Sequence, residues 1–377
     1  MTGPGKPVSS LLVTHSRRWN GETEYATGVL RAEVEMGLRV TLVAPRASIL
    51  ARKLAGSVRY RELPGPRPSS SPRDFFRDLR WLSDLIEAEK FQVLHACRAT
   101  GHLLTALAAR RRAPLLHLRG GAKKPYRHPG NRILYRKLTS GVIVSSRGIE
   151  DWMTRGLRLP PDRVHRLLAP VDTERFRPAA LDPVLYEELG VSRNAPLVVN
   201  VARLAPIKGH PVLLEAWAGV LRRIPGAALV LVGGFFEGQE KVVNRKIEEL
   251  GLAGSVVLTG RRADIPRLLA AASVCVASSL GSEENSRAVG EYMASGRPVA
   301  ATAVGVIPEM VVDGATGFLV PPGNSEALAG AITSLIEDRE RAEEMGGAGR
   351  RRAEEEFSRT VFSRRLRDIF TTYGIKV

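Results

Sequence analysis

Short apolar runs rich in β-branched residues alternate with helical patterns along the whole chain, which is typical of parallel sheets with crossover helices. In the first half, the runs predict seven strands, at residues 9–16, 39–44, 58–63, 93–96, 114–119, 142–145 and 164–169. After a proline-containing linker at 175–183, the pattern restarts and predicts six more, at 197–202, 228–233, 256–259, 274–277, 298–302 and 318–320. We therefore expect an α/β protein of two doubly wound parallel-sheet domains, residues 1–178 and 179–358.

Two domains also agree with the length of 377 residues, which is roughly two to three times that of an ordinary domain. Open parallel sheets bind ligands at the carboxyl ends of their strands, so two such sheets facing each other predict a site in the cleft between them. A stretch rich in Gly, Pro and Ser at 65–72 predicts a loop inside the first domain.

The composition is 44% hydrophobic and 25% charged residues, which is ordinary for a folded globular protein. No apolar run approaches the ~18 residues that span a bilayer, and the N-terminus lacks the pattern of a signal peptide, so we expect a cytoplasmic protein. With Cys97 and Cys275 alone, a disulfide scaffold and a thiolate zinc site are excluded. We expect both cysteines to be buried free thiols.

The net charge of +17 is concentrated in the first half of the chain. Residues 1–178 contain thirty-three Lys and Arg against fifteen Asp and Glu, or +18, whereas residues 179–377 contain twenty-three against twenty-four, or −1. The segment 90–147 has thirteen basic residues and no acidic one. Such a field favours a polyanion such as anionic lipid, a phosphorylated glycan or nucleic acid. A solvated surface that aids solubility is the alternative.

Several familiar catalytic signatures are missing from the sequence. It has no Asp-x-Asp pair, no His-Glu-x-x-His, no Gly-x-x-x-x-Gly-Lys-Ser/Thr and no Gly-x-Ser-x-Gly. A diphosphate chelated through a carboxylate-bound metal ion therefore lacks its usual ligands, and we expect no metal site. Any phosphate must be bound by fixed cations and backbone amides.

Such cations follow the first strand predicted for the second domain. Arg203 lies at the carboxyl end of that strand, and Lys208 follows through a short turn at the start of a helix. Arg can grip a diphosphate through a planar bidentate contact and Lys as a point charge, next to the helix N-terminus. An ordinary surface salt bridge would use the same residue types.

The segment 278–299 predicts a strand end, a polar loop, a helix at about 286–295 and a Gly-Arg-Pro stop. Glu283 and Glu291 are too far apart along it for an acid/base pair but suit two hydroxyl-bearing parts of one extended ligand. The amides of Asn285, Ser286 and Arg287 at the helix start predict a phosphate or sugar cradle. Alternatively, the acids near this start only complement the helix dipole.

Three motifs together resemble the family-4 retaining glycosyltransferases of GT-B fold, including the lipopolysaccharide-core type. They are Arg203-x4-Lys208-Gly209, Glu283-x7-Glu291 followed by Tyr-Met-Ala-Ser-Gly-Arg-Pro-Val299, and Gly305-Val-Ile-Pro-Glu-Met-Val311 with the later Gly317-Phe-Leu-Val-Pro-Pro322. Val171-Asp-Thr-Glu-Arg-Phe176 is similar to the hinge of that family. The resemblance implies two Rossmann-like domains, a nucleotide-diphosphate sugar donor, no required metal and retention of anomeric configuration.

Carried over residue by residue, the resemblance assigns Arg203 and Lys208 to the donor diphosphate, Glu283 to the donor sugar and Glu291 to the ribose. Arg203, Lys208 and Glu283 become the expected catalytic residues. Base recognition falls near Gly260 and Arg261, and residues 19–24 correspond to a glycine-rich loop in which Gly21 allows close approach of the backbone to the donor. The C-terminal helix, at about 359–377, is expected to pack on the first domain.

Two departures from the family pattern concern the first domain. Asn20 precedes Gly21 where the family usually has a glycine pair, and Arg119 stands where many members have His. Arg119 stays protonated, so it cannot act as a base but can hold an anionic acceptor or leaving group. His117 is a further candidate for this role or a structural histidine, and His95 is another candidate for the cleft.

The charge asymmetry favours an anionic acceptor on the first domain, either lipid-linked or a phosphorylated glycan of the cell envelope. Lys123 and Lys124 are candidate acceptor contacts, and Tyr126 and Tyr135 among the basic residues suit docking on the inner face of the cytoplasmic membrane. An apolar face on the helix with Phe75, Phe76, Leu79, Trp81 and Leu82 would add to this surface, unless that face packs on the core.

We therefore expect a metal-independent hexosyltransferase that uses a UDP-, GDP- or ADP-sugar. A nucleotide-sugar epimerase of the same fold is the first alternative, and it would convert labelled donor without an acceptor. A nucleic-acid binding protein that uses the basic half is the second, but no nucleic-acid motif accompanies the charge.

Overall fold

A computed structural model of the chain describes residues 7–17, 20–64, 71–121, 123–281 and 283–377. The chain forms two compact units, Met1–Pro170 with Arg359–Val377, and Val171–Ser358. The expected loop at 65–72 falls mostly outside the described residues, as does Trp19 of the expected glycine-rich loop.

The division between the units lies eight residues before the expected boundary at 178. The backbone N–H of Val171 donates to the carbonyl oxygen of Phe357 at 2.8 Å. The guanidinium of Arg350 donates to the carbonyl oxygens of Thr173 and Phe176, both at 2.8 Å. These bonds join residues 171–176 to the second unit. The prolines of the linker at 175–183 could not indicate this boundary.

The first unit contains a seven-stranded parallel sheet with the order β3-β2-β1-β4-β5-β6-β7. Its strands are β1 Ser9–Val13, β2 Arg39–Ala44, β3 Arg59–Glu62, β4 Val93–Cys97, β5 Leu115–Arg119, β6 Gly141–Val144 and β7 Val164–Arg166. All residues of β1, β4, β5 and β6 are buried, as expected of strands covered by helices on both faces.

Helices cover both faces of the first sheet. They are α1 Gly21–Glu35, α2 Ile49–Lys53, α3 Pro72–Glu89, α4 Ala99–Ala109, α5 Pro129–Ile133, α6 Arg147–Asp151 and α15 Arg359–Thr372, with π-helical turns at Leu134–Leu138 and Trp152–Gly156 and a 3₁₀ turn at Pro161–Arg163. Helices α1 and α15 pack on the face that includes Leu12 and Leu116, and α3 and α4 pack on the face that includes Leu11 and Leu94.

The second unit contains a six-stranded parallel sheet with the order β10-β9-β8-β11-β12-β13. Its strands are β8 Leu197–Val201, β9 Ala228–Val232, β10 Val256–Gly260, β11 Val274–Ala277, β12 Val299–Thr302 and β13 Gly317–Val320. Its helices are α7 Val184–Leu189, α8 His210–Arg223, α9 Gln239–Glu249, α10 Ile265–Ala271, α11 Arg287–Ala294, α12 Ile307–Met310, α13 Ser325–Glu337 and α14 Arg339–Arg352, with a 3₁₀ turn at Pro206–Lys208 and a π-helical turn at Ala353–Phe357.

The two parallel sheets confirm the expected fold class. Each sheet also has a switch point, where the next strand is added on the opposite side of the first: between β1 and β4 in one unit, and between β8 and β11 in the other. Ligands of doubly wound sheets bind at the carboxyl ends of the strands at this point. The loops after β8 and β11, which contain Arg203, Lys208 and Glu283, therefore meet at the switch point of the second unit.

Candidate functional site

Hydrogen bonds to backbone carbonyl oxygens join the loops after β8 and β11. The N–H of Leu280 donates to the carbonyl oxygen of Ile207 at 2.8 Å, and the hydroxyl of Ser278 donates to that of Lys208 at 2.9 Å. Gly209 has a φ of +67°, and a Cβ there would lie 2.1 Å from the carbonyl oxygen of Ser278. This close approach therefore requires glycine after Lys208.

Lys208 and Glu283 form an ion pair at the centre of this arrangement. The ammonium of Lys208 contacts Oε1 of Glu283, and the hydroxyl of Ser279 donates to the same oxygen at 2.5 Å. The Glu283 side chain is 8% exposed and that of Lys208 is 24% exposed. A buried carboxylate is stable here because it has two partners, while part of the ammonium remains open to a ligand.

The backbone of Glu283 is held from behind by the segment after β12. The N–H of Val306 donates to the Glu283 carbonyl oxygen at 2.6 Å. Gly305 has a φ of +57°, and a Cβ there would lie 2.0 Å from that oxygen. Ser279 and Gly305 thus support Glu283, and neither was predicted from the sequence as a site residue. The glycine of the Gly305-x-x-Pro-Glu motif was the available signal.

Arg203 is exposed and lies just after β8, in the same loop as Lys208. Its guanidinium lies over the ring of Phe236, 5.4 Å from the ring centroid, and has no carboxylate partner among the residues that the structure describes. The salt-bridge alternative therefore does not describe Arg203, whereas Lys208 does form a salt bridge, with the buried Glu283. Lys208 pairs with a predicted site residue, and Arg203 remains available to an anion.

Glu291 lies on α11, close after this loop, and its carboxylate is almost fully buried. The guanidinium of Arg287 donates from Nε to Oε1 of Glu291 at 2.5 Å. Ser286 precedes the helix with a φ of +28° and Asn285 lies in the loop before it, so the expected helix start is one residue early.

Glu283 contacts Lys208 and Ser279, so the alternative that it only complements the helix dipole does not describe its contacts.

The loops after β9 and β10 also approach each other at this edge of the sheet. The N–H of Gly233 donates to the carbonyl oxygen of Gly260 at 2.8 Å, and Gly260 has a φ of +66°. Arg261 is exposed, and a Cβ at Gly234 would lie 2.7 Å from its Nε. Gly260 and Arg261 therefore lie at the carboxyl edge, two strands away from β8.

In the first unit, Asn20 and Gly21 begin a helix, which corrects the expected loop at 19–24. Oδ1 of Asn20 accepts from the N–H groups of Glu22 and Thr23, both at 3.0 Å, and the Thr23 hydroxyl accepts from the Asn20 N–H at 2.8 Å. Asn20 is thus the N-cap of α1, and Gly21 is its first residue. The departure from a glycine pair has a physical reason, because Asn caps a helix and Gly does so less well.

Three residues that the sequence analysis singled out in the first unit are buried. His95 Nε2 lies 2.6 Å from Oε1 of the buried Glu33, and its ring stacks on Phe370 of α15. His117 stacks on His102 with ring centroids 3.8 Å apart, and burial lowers the pKa of His117 well below its usual value. Tyr135 is buried beside them. None of the three reaches the surface. His117 thus fits the structural alternative, and neither His95 nor Tyr135 is exposed for the contact expected of it.

Lys123 and Lys124 are exposed, as expected of acceptor or membrane contacts. The ammonium of Lys124 lies 5.3 Å, and the guanidinium carbon of Arg127 4.2 Å, from the ring centroid of Trp152. On α3, Leu82 is buried and Phe75, Leu79 and Trp81 pack against the core, while Phe76 is exposed. The alternative of a core-facing helix is therefore right for most of that face.

Across the described ranges, no group of three His, Cys, Asp or Glu side chains could hold a metal ion. Cys97 and Cys275 are buried free thiols, as expected. None of the helices in the described part of the chain is both long and apolar enough to cross a membrane.

Two family models match the chain. Residues 19–175 match "Glycosyltransferase Family 4", and residues 195–338 match "Glycosyl transferases group 1". The putative glycosyltransferase EpsD of Bacillus subtilis is 30% identical over 316 residues, which is 78% of this chain and 80% of EpsD.

Other curated relatives match over a shorter length. Alpha-maltose-1-phosphate synthase of Mycolicibacterium smegmatis is 37% identical over 232 residues, 58% of this chain and 59% of the relative. A GDP-mannose-dependent alpha-(1-6)-phosphatidylinositol monomannoside mannosyltransferase of Mycobacterium tuberculosis is 36% identical over 193 residues, 48% of each chain. The chain thus spans about half to three-fifths of the length of these two relatives.

Solved structures share the fold at low sequence identity. A glycosyltransferase from Rickettsia africae has a TM-score of 0.88 at 20% identity, covering 97% of this chain and 98% of its own. HepE from Anabaena, in complex with UDP and glucose, has a TM-score of 0.82 at 22% identity, covering 97% of this chain and all of its own.

Proposed function

The chain belongs to the group 1, family-4 glycosyltransferases, and from this premise we propose that it is a retaining enzyme that transfers a sugar from a nucleotide-diphosphate sugar to an anionic glycan acceptor without a metal ion. The observation that carries the proposal is the Lys208–Glu283 contact beside the exposed Arg203 at the switch point of the second sheet. A diphosphate and a sugar are joined in such a donor, and this cluster offers cations and a carboxylate side by side.

In the proposed reaction, the bond between the anomeric carbon of the sugar and the diphosphate breaks, a bond from that carbon to the acceptor hydroxyl oxygen forms, and the hydroxyl proton is released with the nucleoside diphosphate. Negative charge grows on the leaving phosphate. Arg203 and Lys208 stabilise this charge, because preorganised cations at a leaving group lower the barrier without reorganisation. Glu283 accepts hydrogen bonds from sugar hydroxyls and holds the ammonium of Lys208 in place. Glu291 accepts from the ribose hydroxyls. Two fixed cations thus take the role that a divalent ion has in metal-dependent transferases.

A nucleotide-diphosphate donor agrees with what two related proteins bind. The Anabaena structure holds UDP and glucose, and the mycobacterial relative depends on GDP-mannose. These two donors have different bases, so the base is not assigned by similarity. UDP-, GDP- and ADP-sugars are all candidates for this chain.

A thermal-shift screen with UDP-, GDP- and ADP-sugars in EDTA tests the donor. We expect one nucleotide class to raise the melting temperature by mass action, since a ligand that binds only the folded state stabilises it. Arg203→Ala should lose most of this shift, whereas Arg245→Ala should keep it, because Arg245 forms a surface ion pair with Glu249 on α9. A shift that requires Mn²⁺ or Mg²⁺, or no shift from any nucleotide sugar, would contradict the proposal.

We propose further that the first unit binds an anionic membrane surface, on the inner face of the cytoplasmic membrane, and takes a lipid-linked acceptor there. By the unit boundaries, the first unit has thirty-six Lys and Arg against fourteen Asp and Glu, and the second has twenty against twenty-five. The net charges of the two units are therefore +22 and −5, a larger difference than the +18 and −1 of residues 1–178 and 179–377. Each basic residue near an anionic bilayer contributes about 1 kcal/mol to binding.

Exposed apolar side chains accompany these charges in the first unit. Tyr126 is 71% exposed between Lys124 and Arg127, and Ile133 on α5 is exposed between Arg132 and Arg136. The exposed apolar residues on α3 and α4 are Phe76, Leu103 and Leu107. Basic and apolar side chains together are what interfacial binding requires.

Sedimentation with vesicles tests the membrane proposal. We expect the protein to bind vesicles that contain phosphatidylglycerol and not vesicles of phosphatidylcholine alone, and we expect added salt to weaken the binding. The double variant Arg132→Glu/Arg136→Glu should bind roughly tenfold more weakly or worse. Arg245→Glu is the control for charge reversal in the second unit. Equal binding to neutral vesicles, or no difference between the variants, would refute it.

A further inference from the structure

A buried cation lies at the carboxyl edge of the first sheet. Arg119 ends β5 and is 7% exposed, and its guanidinium donates one hydrogen bond, to the carbonyl oxygen of Lys123. Nε of Arg119 is buried with no acceptor, and no carboxylate in the described ranges forms an ion pair with it. A guanidinium is costly to bury without an anion, so this position favours one from outside the chain.

Two neighbouring strand ends present further donors. His15 follows β1, and both of its ring nitrogens are buried without a partner among the described residues. Burial, and the nearby charge of Arg98, lower the pKa of His15 to about 4, so its imidazole is neutral near pH 7 and keeps one N–H to donate. Arg98 follows β4, its side chain is exposed, and its φ of +63° is unusual for a residue with a side chain.

The sheet order brings these three side chains to one edge. Strands β1, β4 and β5 are parallel neighbours, so their carboxyl ends meet at the switch point of the first unit. Arg98, Arg119 and Glu22 all influence the pKa of the Cys97 thiol at the end of β4, which burial raises well above its usual value. In the register of β4 and β5, Cys97 lies opposite Leu118, so Arg98 and Arg119 are the residues that follow this pair in the two strands.

Glu22 is the acidic residue that faces this edge. Its Oε1 accepts from the backbone N–H of Arg98 at 3.2 Å, so its hydrogen bond goes to the main chain and not to either guanidinium. Two guanidinium groups against one carboxylate leave the edge positive.

We propose that Arg98, Arg119 and His15 form a subsite that binds a phosphate or carboxylate group of the acceptor. This inference rests on the proposed function, which assigns the donor diphosphate to Arg203 and Lys208 of the second unit. A planar guanidinium makes two parallel hydrogen bonds to a phosphate or carboxylate, and the His15 N–H adds a third. The acceptor of this enzyme thus bears an anionic group.

Calorimetric titration with glycerol 1-phosphate tests the subsite, with glycerol as the neutral probe. The protein is first saturated with the nucleoside diphosphate that gives the largest thermal shift, so that the donor diphosphate site is occupied. We expect glycerol 1-phosphate to bind and glycerol not to bind. Arg119→Gln should raise the Kd for glycerol 1-phosphate roughly tenfold or more, since a charge-assisted bidentate contact is lost.

Arg98→Gly is the second variant, and it tests the subsite even if Arg119→Gln fails to fold. Glycine accepts the φ of +63° without strain, so this variant should fold. It should weaken binding of glycerol 1-phosphate several-fold. Arg39→Gln, at the amino end of β2 and thus on the opposite edge, should bind it as the wild type does. Wild-type affinity for glycerol 1-phosphate in both Arg98→Gly and folded Arg119→Gln would overturn the subsite. Complete displacement of glycerol 1-phosphate by the nucleoside diphosphate would overturn it too.

The same titrations separate failure of the subsite from failure of the proposed function. If no nucleoside diphosphate binds but glycerol 1-phosphate still binds in an Arg119-dependent way, the donor assignment fails and the subsite stands. If the nucleotide binds and glycerol 1-phosphate does not, the subsite fails and the donor assignment stands.

Discussion

We expect Lys208→Ala to lower kcat roughly 100- to 1,000-fold, because removing one preorganised donor from a developing anion has an effect of this size. The substitution also removes one of the two partners of the Glu283 carboxylate and so disturbs a second predicted site residue. Lys208 ends a 3₁₀ turn and is partly exposed, so the fold should tolerate the change. Initial rates with the preferred donor, together with circular dichroism, measure both effects.

Arg203→Ala and Glu283→Ala extend this test. Each should also lower turnover strongly, Arg203→Ala through the leaving phosphate and Glu283→Ala through the sugar. Arg245→Ala, which changes a surface ion pair on α9, is the control for loss of a positive charge elsewhere in the second unit. Wild-type rates in all three purified site variants would refute the assignment of the site.

Gly305→Ala is expected to destabilise the second unit by about 3 kcal/mol and to abolish donor binding. The new Cβ would lie 2.0 Å from the carbonyl oxygen of Glu283, a backbone atom that cannot turn aside as a side chain would. The strained φ of +57° adds to the cost. Relief of the contact requires the loop with Glu283 to move away from Lys208, so both stability and donor affinity should fall. Urea unfolding and the nucleotide-induced thermal shift measure them.

Gly314→Ala separates the two causes. Gly314 has a φ of +73° but no atom within 4 Å of its Cβ position, so this variant keeps the backbone strain without the contact against Glu283. It should lose about 1 kcal/mol and bind the donor normally. Equal loss of donor binding in the two variants, or an unchanged thermal shift in Gly305→Ala, would show that the contact behind Glu283 does not hold the site.

Much of the site follows from local pattern. The apolar runs identify the strands of both sheets, since buried parallel strands are nearly continuous in hydrophobic residues. Arg203 and Lys208 stand directly after one such run and Glu283 after another, and the ends of parallel strands are where ligands bind. Glycines at strand ends marked close approaches, but which atom each one faces depends on a distant segment, as Gly305 and Glu283 illustrate.

The first unit shows where local pattern is insufficient. His95, His117 and Arg119 all occupy strands or strand ends and look equivalent along the chain. His95 is covered by α15, which comes from the far end of the sequence, and His117 is covered by His102 on α4. Arg119 ends its strand and has no acidic partner within the described ranges. The residues next to each of the three in the chain do not indicate which side chain a distant segment covers.

The sequence by itself determined the order of strands and helices, the concentration of positive charge in the first half and the chemistry available at the strand ends, because these depend on residues near one another in the chain. The tertiary structure alone decided that Lys208 and Glu283 touch, that His95 and His117 are interior, and that residues 171–176 join the second unit. Burial and pairing depend on which remote segment covers a side chain, and local periodicity carries no information about that segment.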